Sequence, residues 1–468
     1  MLIFKKIKYF FLKKNFLKDD SIFYEKSSFF SRLKDLYKLK IWEKDTKNGL
    51  KNNLGALLGL PNKIFLKYYC QFLQYNPNNL GNWSDFVQKN TIREAEYEVI
   101  KKMINLYKGN DIEWGGYITS GGTEGNFFSA WLAKSYLMKF LSLNKICLLK
   151  TSLTHYSIDK IASIIDLSQF IIALDKNLGM DINDLENKIN SLSKKGYLGF
   201  IIVLTLGYSV SGTRDNYKKI NRFLKNLEKK DTNLKFYCFI DAASDGMVEP
   251  FFNKKFTPLN FSHIFSFVVD FHKFGMAAYP AGLVLYKKKL ISLISKNISY
   301  LEEKDETLLG SRQGAVAVAL WVLINFLGKE GFRKVYEKQF NNKTYFVNEI
   351  KKIIPKIKIT ENKYSLILGL IFKDNKQIPQ DLCNRYNIYP ANVKILFFKK
   401  NRYIEKKIKI YKICFMPYLN KKNINSFLAN LKKYYIPNYF FIKFINFFSK
   451  FLKKLKIIIF LLKIDGTL

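Results

Sequence analysis

A lysine and a carboxylate in this chain stand where they could act together on a carbonyl. The run Phe265-Ser266-Phe267-Val268-Val269-Asp270-Phe271-His272-Lys273 is apolar and strand-like, and it ends in a His-Lys pair. Upstream, Phe236 to Ile240 is a second apolar run, which ends at Asp241 and leads into Ala242-Ala243. Two buried strands, one delivering a lysine and the other an acid, suit a cofactor that needs both. Pyridoxal phosphate is such a cofactor: its aldehyde takes a lysine amine as a Schiff base, and its ring nitrogen takes an acid partner. A carboxylate beside the pyridine nitrogen keeps it protonated, and the protonated ring draws electrons from the bond being broken. On its own, Asp241 also reads as a strand-end residue capping a helix.

Two further segments gain meaning beside that pair. Tyr117 to Asn126 contains Gly121-Gly122-Thr123 and precedes an apolar helix, Phe127 to Leu141. Glycines let the backbone approach an anion, and a helix N-terminus offers free N–H groups and a favourable dipole. Thr123 adds a hydroxyl. The lysine and spacing are wrong for a P-loop, and an isolated Gly-rich turn is usually just a turn. His155 follows the strand at Cys147. At a strand end an imidazole can stack on a flat ring, although a lone histidine is more often structural.

Positioning these groups requires a sheet. From Tyr117 onward, short apolar runs (Lys145–Leu149, Phe170–Leu174, Gly199–Leu204, Lys235–Ile240, Ile264–Val269) alternate with helical spacers. That order implies an α/β domain with a mainly parallel sheet covered on both faces. Ligands in such sheets bind beyond the carboxyl ends of the strands, where Asp241 and Lys273 fall. Thr91 to Lys108 reads as an amphipathic helix, with Ala95, Val99, Ile100, Met103, Ile104 and Tyr107 at helical spacing. Another long helix is expected over Leu309–Leu327. Short strands around Ser365–Phe372 and Ile410–Met416, then a helix over Asn423–Tyr434, read as a smaller α+β domain. The expected organisation is an N-terminal helical segment (1–75), a large α/β domain (76–329), a small α+β domain (330–436) and a basic aromatic tail (437–468).

Bulk composition narrows the function. The 468 residues carry a formal net charge of +40, with 78 basic residues. Only 8 of these are arginine, so 70 are lysine. A nucleic-acid binder favours Arg, which forks onto phosphate and guanine, so no nucleic-acid role is expected; the lysine excess, with abundant Asn, Ile, Phe and Tyr, fits a coding bias. The five cysteines are scattered and form no C-x-x-C pair, which suits a reducing cytosol and a cytoplasmic protein. The three histidines make no zinc spacing, so no metal is expected. No cleavable signal sequence is convincing at the N-terminus. Phe440 to Leu462 alternates apolar clusters with lysines, which suits weak contact with an anionic membrane surface through the basic termini or a solvated tail, and is too charged for a spanning helix.

Taken together, the blocks resemble the group II pyridoxal-phosphate-dependent amino-acid decarboxylases, and within them the histidine decarboxylase and plant serine decarboxylase type. Asn78-Asn79-Leu80-Gly81 resembles N-N-[VL]-G, and Ser120 to Asn126 is similar to the C/S-G-G-T-E-G-N turn. His155-Tyr156-Ser157 with Lys160 resembles H-Y-S-[VI]-x-K. Asp241-Ala242-Ala243 is similar to D-[AG]-A, and His272-Lys273-Phe274 to H-K-[FM]. Tyr300-Leu301 through Gly310-Ser311-Arg312 resembles Y-L…D-x-T-[IL]-x-G-S-R. The likeness covers roughly 75–335, more weakly to about 435.

The resemblance implies fold type I of the pyridoxal-phosphate enzymes (aspartate aminotransferase-like), with a seven-stranded type of sheet, and loss of an amino acid's carboxylate as carbon dioxide to give the amine. It implies that Lys273 is the Schiff-base lysine, that Asp241 pairs with the ring nitrogen and that His155 stacks on the ring. Gly121, Gly122, Thr123, Asp270 and His272 would lie round the phosphate, with Ser209 and Ala243 completing the cofactor contacts. Ser311 would reach the phosphate of the neighbouring subunit in a homodimer with shared active sites. Tyr300 falls in a mobile loop and would protonate the carbanionic intermediate.

Departures from the pattern bear on the substrate. Asp270 and Phe271 stand where this branch has Ser and Gly; Asp270 is nearer the D-P-H-K of archaeal tyrosine/aspartate decarboxylases, and Ala281-Gly282 is also archaeal-like. The family's G-T-T becomes Gly207-Tyr208-Ser209, which would bring a phenol near the cofactor. G-S-R-N-G-H becomes Gly310 to Ala315. Asn79, Asn82, Trp83 and Tyr208 are candidate specificity residues. Histidine is the first expected substrate, with serine, aspartate or an aromatic amino acid behind it. The rivals are an aminotransferase or carbon-sulfur lyase on the same scaffold, and a catalytically silent membrane-associated homologue. An aminotransferase should show a carboxylate-binding arginine in the small domain, where only Arg385 and Arg402 are candidates.

Overall fold

The computed structural model describes residues 29–79, 92–299, 303–373, 377–399 and 402–435. The expectations for Leu80, Gly81, Asn82, Trp83, Tyr300 and the 437–468 tail lie outside the described residues. Helix α1 (Phe29–Lys51) belongs to a unit of its own, and the chain from Asn52 onward forms the second unit.

In the second unit, α2 (Lys63–Leu73) and α3 (Ile92–Leu106) precede a seven-stranded sheet. Its strands are β1 (Trp114–Thr119), β2 (Ile146–Thr151), β3 (Ser168–Ile172), β4 (Gly199–Thr205), β5 (Lys235–Asp241), β6 (Ile264–Asp270) and β7 (Gly282–Lys287). Their order is β1-β7-β6-β5-β4-β2-β3. Strands β2 to β6 pair in parallel, whereas β7 runs antiparallel to both of its neighbours. All residues of β2, β4 and β6 are buried, as the continuous Val, Ile, Leu and Phe runs require of strands covered on both faces.

The helices α4 (Gly122–Leu137), α5 (Ser157–Ile164), α6 (Ile182–Ser193) and α7 (Tyr217–Lys230) supply that cover. One close approach fixes where α4 lies. A methyl group on Gly125 would stand 2.6 Å from a Val268 methyl, so only glycine lets this helix settle on β6. Because register pairs Thr205 with Asp241 and Asp241 with Val268, the side chains of Thr205, Asp241, Val268 and Asp270 share the face beneath α4.

Helix α8 (Gly314–Ile353) leads out of this sheet and kinks at Gly328, whose φ is 56°. By length and composition it could cross a membrane, but Val316, Ala317, Leu320 and Leu323 are core residues packed with those of α3. The helix starts about a turn later than the expected Leu309, because Gln313 caps α8 by accepting from the Ala315 N–H. A small hairpin, β8 (Lys296–Ile298) with β9 (Glu303–Asp305), precedes it.

The C-terminal sheet has the order β10-β11-β13-β12, from β10 (Lys358–Glu361), β11 (Ile367–Ile371), β12 (Pro390–Lys399) and β13 (Arg402–Cys414). Helices α9 (Gln380–Tyr386) and α10 (Lys421–Tyr435) pack with it. The β12–β13 hairpin reaches back over the large sheet. Leu174 N–H donates to the Leu396 carbonyl at 2.7 Å, and Tyr403 donates to Asp184 at 2.7 Å. Ser365 donates to Asp245 at 2.8 Å, and Thr360 to the Ser211 carbonyl at 3.0 Å.

A buried ion pair anchors the segment before α8. The Arg312 guanidinium forks onto Glu96 of α3 and also donates to the Ile118 carbonyl at 3.0 Å. Asn79 donates to the same Glu96 at 2.8 Å. Removing one partner of a buried pair leaves the other charge uncompensated. Glu96→Ala should therefore cost about 3–5 kcal/mol, seen as a lower urea midpoint; an unchanged midpoint would show that the pair adds nothing.

Candidate active site

At the carboxyl ends of β4, β5 and β6 lies a cavity of about 370 Å³ lined by the α4 N-terminus, His155, Asp241, Asp270, His272, Lys273 and Tyr279. A larger cleft of about 710 Å³ opens between the loop before α6 and the β10–β11 turn. Its arginine, Arg214, is partly buried and paired with Glu249, and its lining does not bring a histidine together with a lysine and an acid. The smaller cavity does.

Lys273 Nζ sits 2.9 Å from Asp270 Oδ2. Burial opposes the ammonium charge, but the carboxylates of Asp270 and Asp241 outweigh it and hold Lys273 above the ordinary lysine range. Asp241 is 5% exposed. Its Oδ2 accepts from Asn126 Nδ2 at 2.9 Å and its Oδ1 from the Ala243 N–H at 3.0 Å.

His155 begins the turn into α5. Its Nδ1 accepts from the Ser157 N–H at 3.3 Å and lies 2.9 Å from Ser157 Oγ. A backbone N–H can only donate, so the remaining proton belongs on Nε2. Burial lowers the imidazole's proton affinity, an effect that Lys273 and Lys412 reinforce and that Asp241 and Asp270 oppose. The ring is neutral at pH 7. His272 is also neutral, chiefly through burial. Its Nδ1 donates to the Ala281 carbonyl at 3.0 Å, and its ring stacks on Tyr279 with centroids 3.9 Å apart.

At the start of α4, a methyl group on Gly122 would stand 3.1 Å from Asp270 Oδ2 and 3.2 Å from Ala243 Cβ. Ala243 thus packs behind the turn and does not line the cavity, whereas Gly121, Gly122, Thr123 and Ser209 do. Glu124 turns away, accepting from the Ser120 N–H at 2.7 Å.

Two further expectations are corrected. Tyr208 does not bring its phenol to the cofactor: it is fully buried, and its hydroxyl lies 2.8 Å from both Asp215 oxygens and from Thr151. The Tyr208 N–H donates to the Thr213 carbonyl as the loop folds back, and Gly207 and Ser209 line the cavity instead. Asn79 is committed to Glu96 and is not a pocket residue. Ser311, expected to reach the neighbouring subunit's phosphate, lies outside this chain's own cavity, and its hydroxyl accepts from Asn78 Nδ2 at 3.1 Å. Sequence reasoning gave no role to Asn126, Thr205, Leu153 or Tyr279, which all line the cavity. Asn126 lay inside a quoted motif, and its place one turn into α4, on the face carrying Gly122 and Gly125, was the available signal.

These groups fit pyridoxal phosphate. Asp270 Oδ1, Thr205 Oγ1 and Asn126 Oδ1 are buried around the cavity without a protein partner, and buried polar atoms of this kind call for a ligand. A glycine cradle at a helix N-terminus, an amine, a strand-end acid and a flat neutral ring are the features such a cofactor requires.

Known proteins agree. A histidine decarboxylase of Vibrio anguillarum is 30% identical over 273 residues, covering 57% of this chain and 67% of the relative. A probable L-tyrosine/L-aspartate decarboxylase of Methanosphaera stadtmanae is 27% identical over 394 residues, covering 81% and 90%. Among solved structures, a glutamate decarboxylase of Lactobacillus brevis superposes with a TM-score of 0.73 at 15% identity, covering 90% of this chain and 96% of its own. The L-methionine decarboxylase of Streptomyces gives 0.74 at 15% identity, covering 88% and 96%. The fold is that of the type I pyridoxal-phosphate enzymes. Residues 92–369 match the pyridoxal-dependent decarboxylase conserved domain, so the chain belongs to the pyridoxal-dependent decarboxylase family and is a pyridoxal-phosphate-dependent amino-acid carboxy-lyase.

Proposed function

We propose that the chain decarboxylates an L-amino acid with a flat ring side chain, L-histidine first, releasing the amine and carbon dioxide. One observation carries the choice of side chain. Tyr156 and Tyr279 line the cavity beside His155, yet are 63% and 58% exposed. They present aromatic walls at its mouth, where a planar substituent gains stacking.

The bound cofactor supplies the electron sink. In this reading Lys273 attaches it and returns a proton at Nζ when product leaves. Asp241 holds the ring nitrogen protonated, with Asn126 and the Ala243 N–H fixing the carboxylate. His155, neutral and held by Ser157, covers the ring face. Leu153 adds an apolar wall, and a poorly solvated carboxylate is more readily lost as a neutral molecule. The active unit is a homodimer, with Ser311 turned to the partner's site.

A second reading, aspartate, is favoured by Lys412. This residue follows Ile410, which packs in one cluster with Leu153 and Tyr208, and precedes Cys414 on the same face of β13. Its charge acts on His155, so a β-carboxylate could be met there. Purified, cofactor-loaded protein should be supplied with histidine, tyrosine, tryptophan, serine and aspartate, and amine and carbon dioxide measured. Histidine should have the highest kcat/KM, by about 10-fold or more. Aspartate in first place, lost in Lys412→Met, would replace the first reading with the second. A keto acid in place of the amine would sink both.

A further inference from the structure

The acid at position 270 stands where a phosphate would go. Asp270 is 3% exposed, and its Oδ1 lacks a protein partner. Its two oxygens lie 3.1 and 3.3 Å from where a methyl on Gly122 would stand, and Oδ1 3.7 Å from the same point on Gly121. Those glycines open α4, whose free N–H groups and dipole favour a negative charge. The carboxylate therefore occupies the mouth of the anion cradle while also holding Lys273.

A cofactor phosphate is a dianion above its second pKa of about 6. Seating it here brings it against a buried carboxylate, and two buried anions in contact do not both stay fully ionised. We propose that Asp270 is an internal stand-in for the phosphate, and that capture of a phosphate-bearing cofactor takes up one proton, shared between this carboxyl and the phosphate. The inference rests on the phosphate lying at the α4 N-terminus.

Among the protein groups facing Asp270, it is left as the source of the linkage between pH 7 and 9; uptake at the ligand's ring nitrogen, which Asp241 would hold protonated, is common to the unphosphorylated control and is subtracted with it. His272, whose Nε2 is 3.5 Å from Oδ2, is already neutral, as is His155. Lys273 stays charged, its proton affinity raised. Tyr279 is held above the ordinary phenol range by burial, against the opposing pull of Lys273. Asp241 is engaged by Asn126 and Ala243, and Glu124 by Ser120.

The test uses pyridoxine 5′-phosphate, which lacks the aldehyde and so cannot bond to Lys273, with unphosphorylated pyridoxine as control. Calorimetry of the cofactor-free full chain, in buffers of different ionisation enthalpy, should show uptake of close to one proton at pH 8. The dissociation constant should weaken about tenfold per pH unit from 7 to 9. Asp270→Asn and Asp270→Ser should bind at least tenfold tighter at pH 8, with near-zero proton uptake and a flat profile once the ring-nitrogen contribution measured with pyridoxine is subtracted. A flat profile in the unsubstituted protein, or weaker binding in both folded variants, overturns the role of Asp270. Pyridoxine binding as tightly as its phosphate overturns the placement of the phosphate itself.

Discussion

Lys273→Ala turns over its amino acid at least about 10⁴-fold more slowly than the unsubstituted enzyme, the scale on which loss of a covalent catalytic group acts. The substitution removes the one lysine that lines the cavity among the described residues, whose charge Asp241 and Asp270 favour. It also removes the group that would hold the cofactor covalently, so the visible absorbance of the attached cofactor should vanish on gel filtration. Circular dichroism should stay unchanged, because Lys273 bonds to a cavity residue and not to the core. A variant that kept a normal rate, or kept its coloured cofactor after denaturation, would remove Lys273 from the chemistry.

Asp241→Asn separates cofactor retention from catalysis. An amide of the same shape accepts from the Ala243 N–H and donates to Asn126 Oδ1 once that side-chain amide turns over, but it carries no charge to keep a pyridine nitrogen protonated. The protein should still hold its cofactor through Lys273, while kcat falls on the order of 10²–10³-fold, the range found for loss of a preorganised electrostatic group. Equal kcat in the two proteins would leave the carboxylate a structural cap, the other reading that a strand-end aspartate permits.

Much of this site was legible because parallel strands buried on both faces are written as unbroken apolar runs. The ends of such runs are where ligands meet the sheet, so Asp241 and Lys273 could be brought together before any coordinates. The antiparallel β7 was harder. Its Gly-Leu-Val-Leu-Tyr-Lys run has the same apolar character as its parallel neighbours, and direction is a property of the connection. The β12–β13 hairpin was hidden by its lysines. In a chain with 70 of them, Lys394, Lys407 and Lys409 look like background, yet they alternate with Val393, Ile395, Ile408 and Ile410 as a half-exposed ribbon should. Tyr208 was misplaced because its destination depends on Asp215, seven residues on, and on a loop that folds back to reach it. Local spacing gives the partner's distance along the chain but not the direction of the fold-back.

The hydrogen bonds from Leu174, Tyr403, Ser365 and Thr360 act as rivets spread across the seam between the two sheets. Rotating one sheet against the other would have to break several of them together, so this seam is built as a fixed joint. Any residue of the C-terminal sheet that senses the substrate does so from a constant distance. A change of charge on β13, as at Lys412, is then felt at His155 from that constant distance, with no moving part to retune.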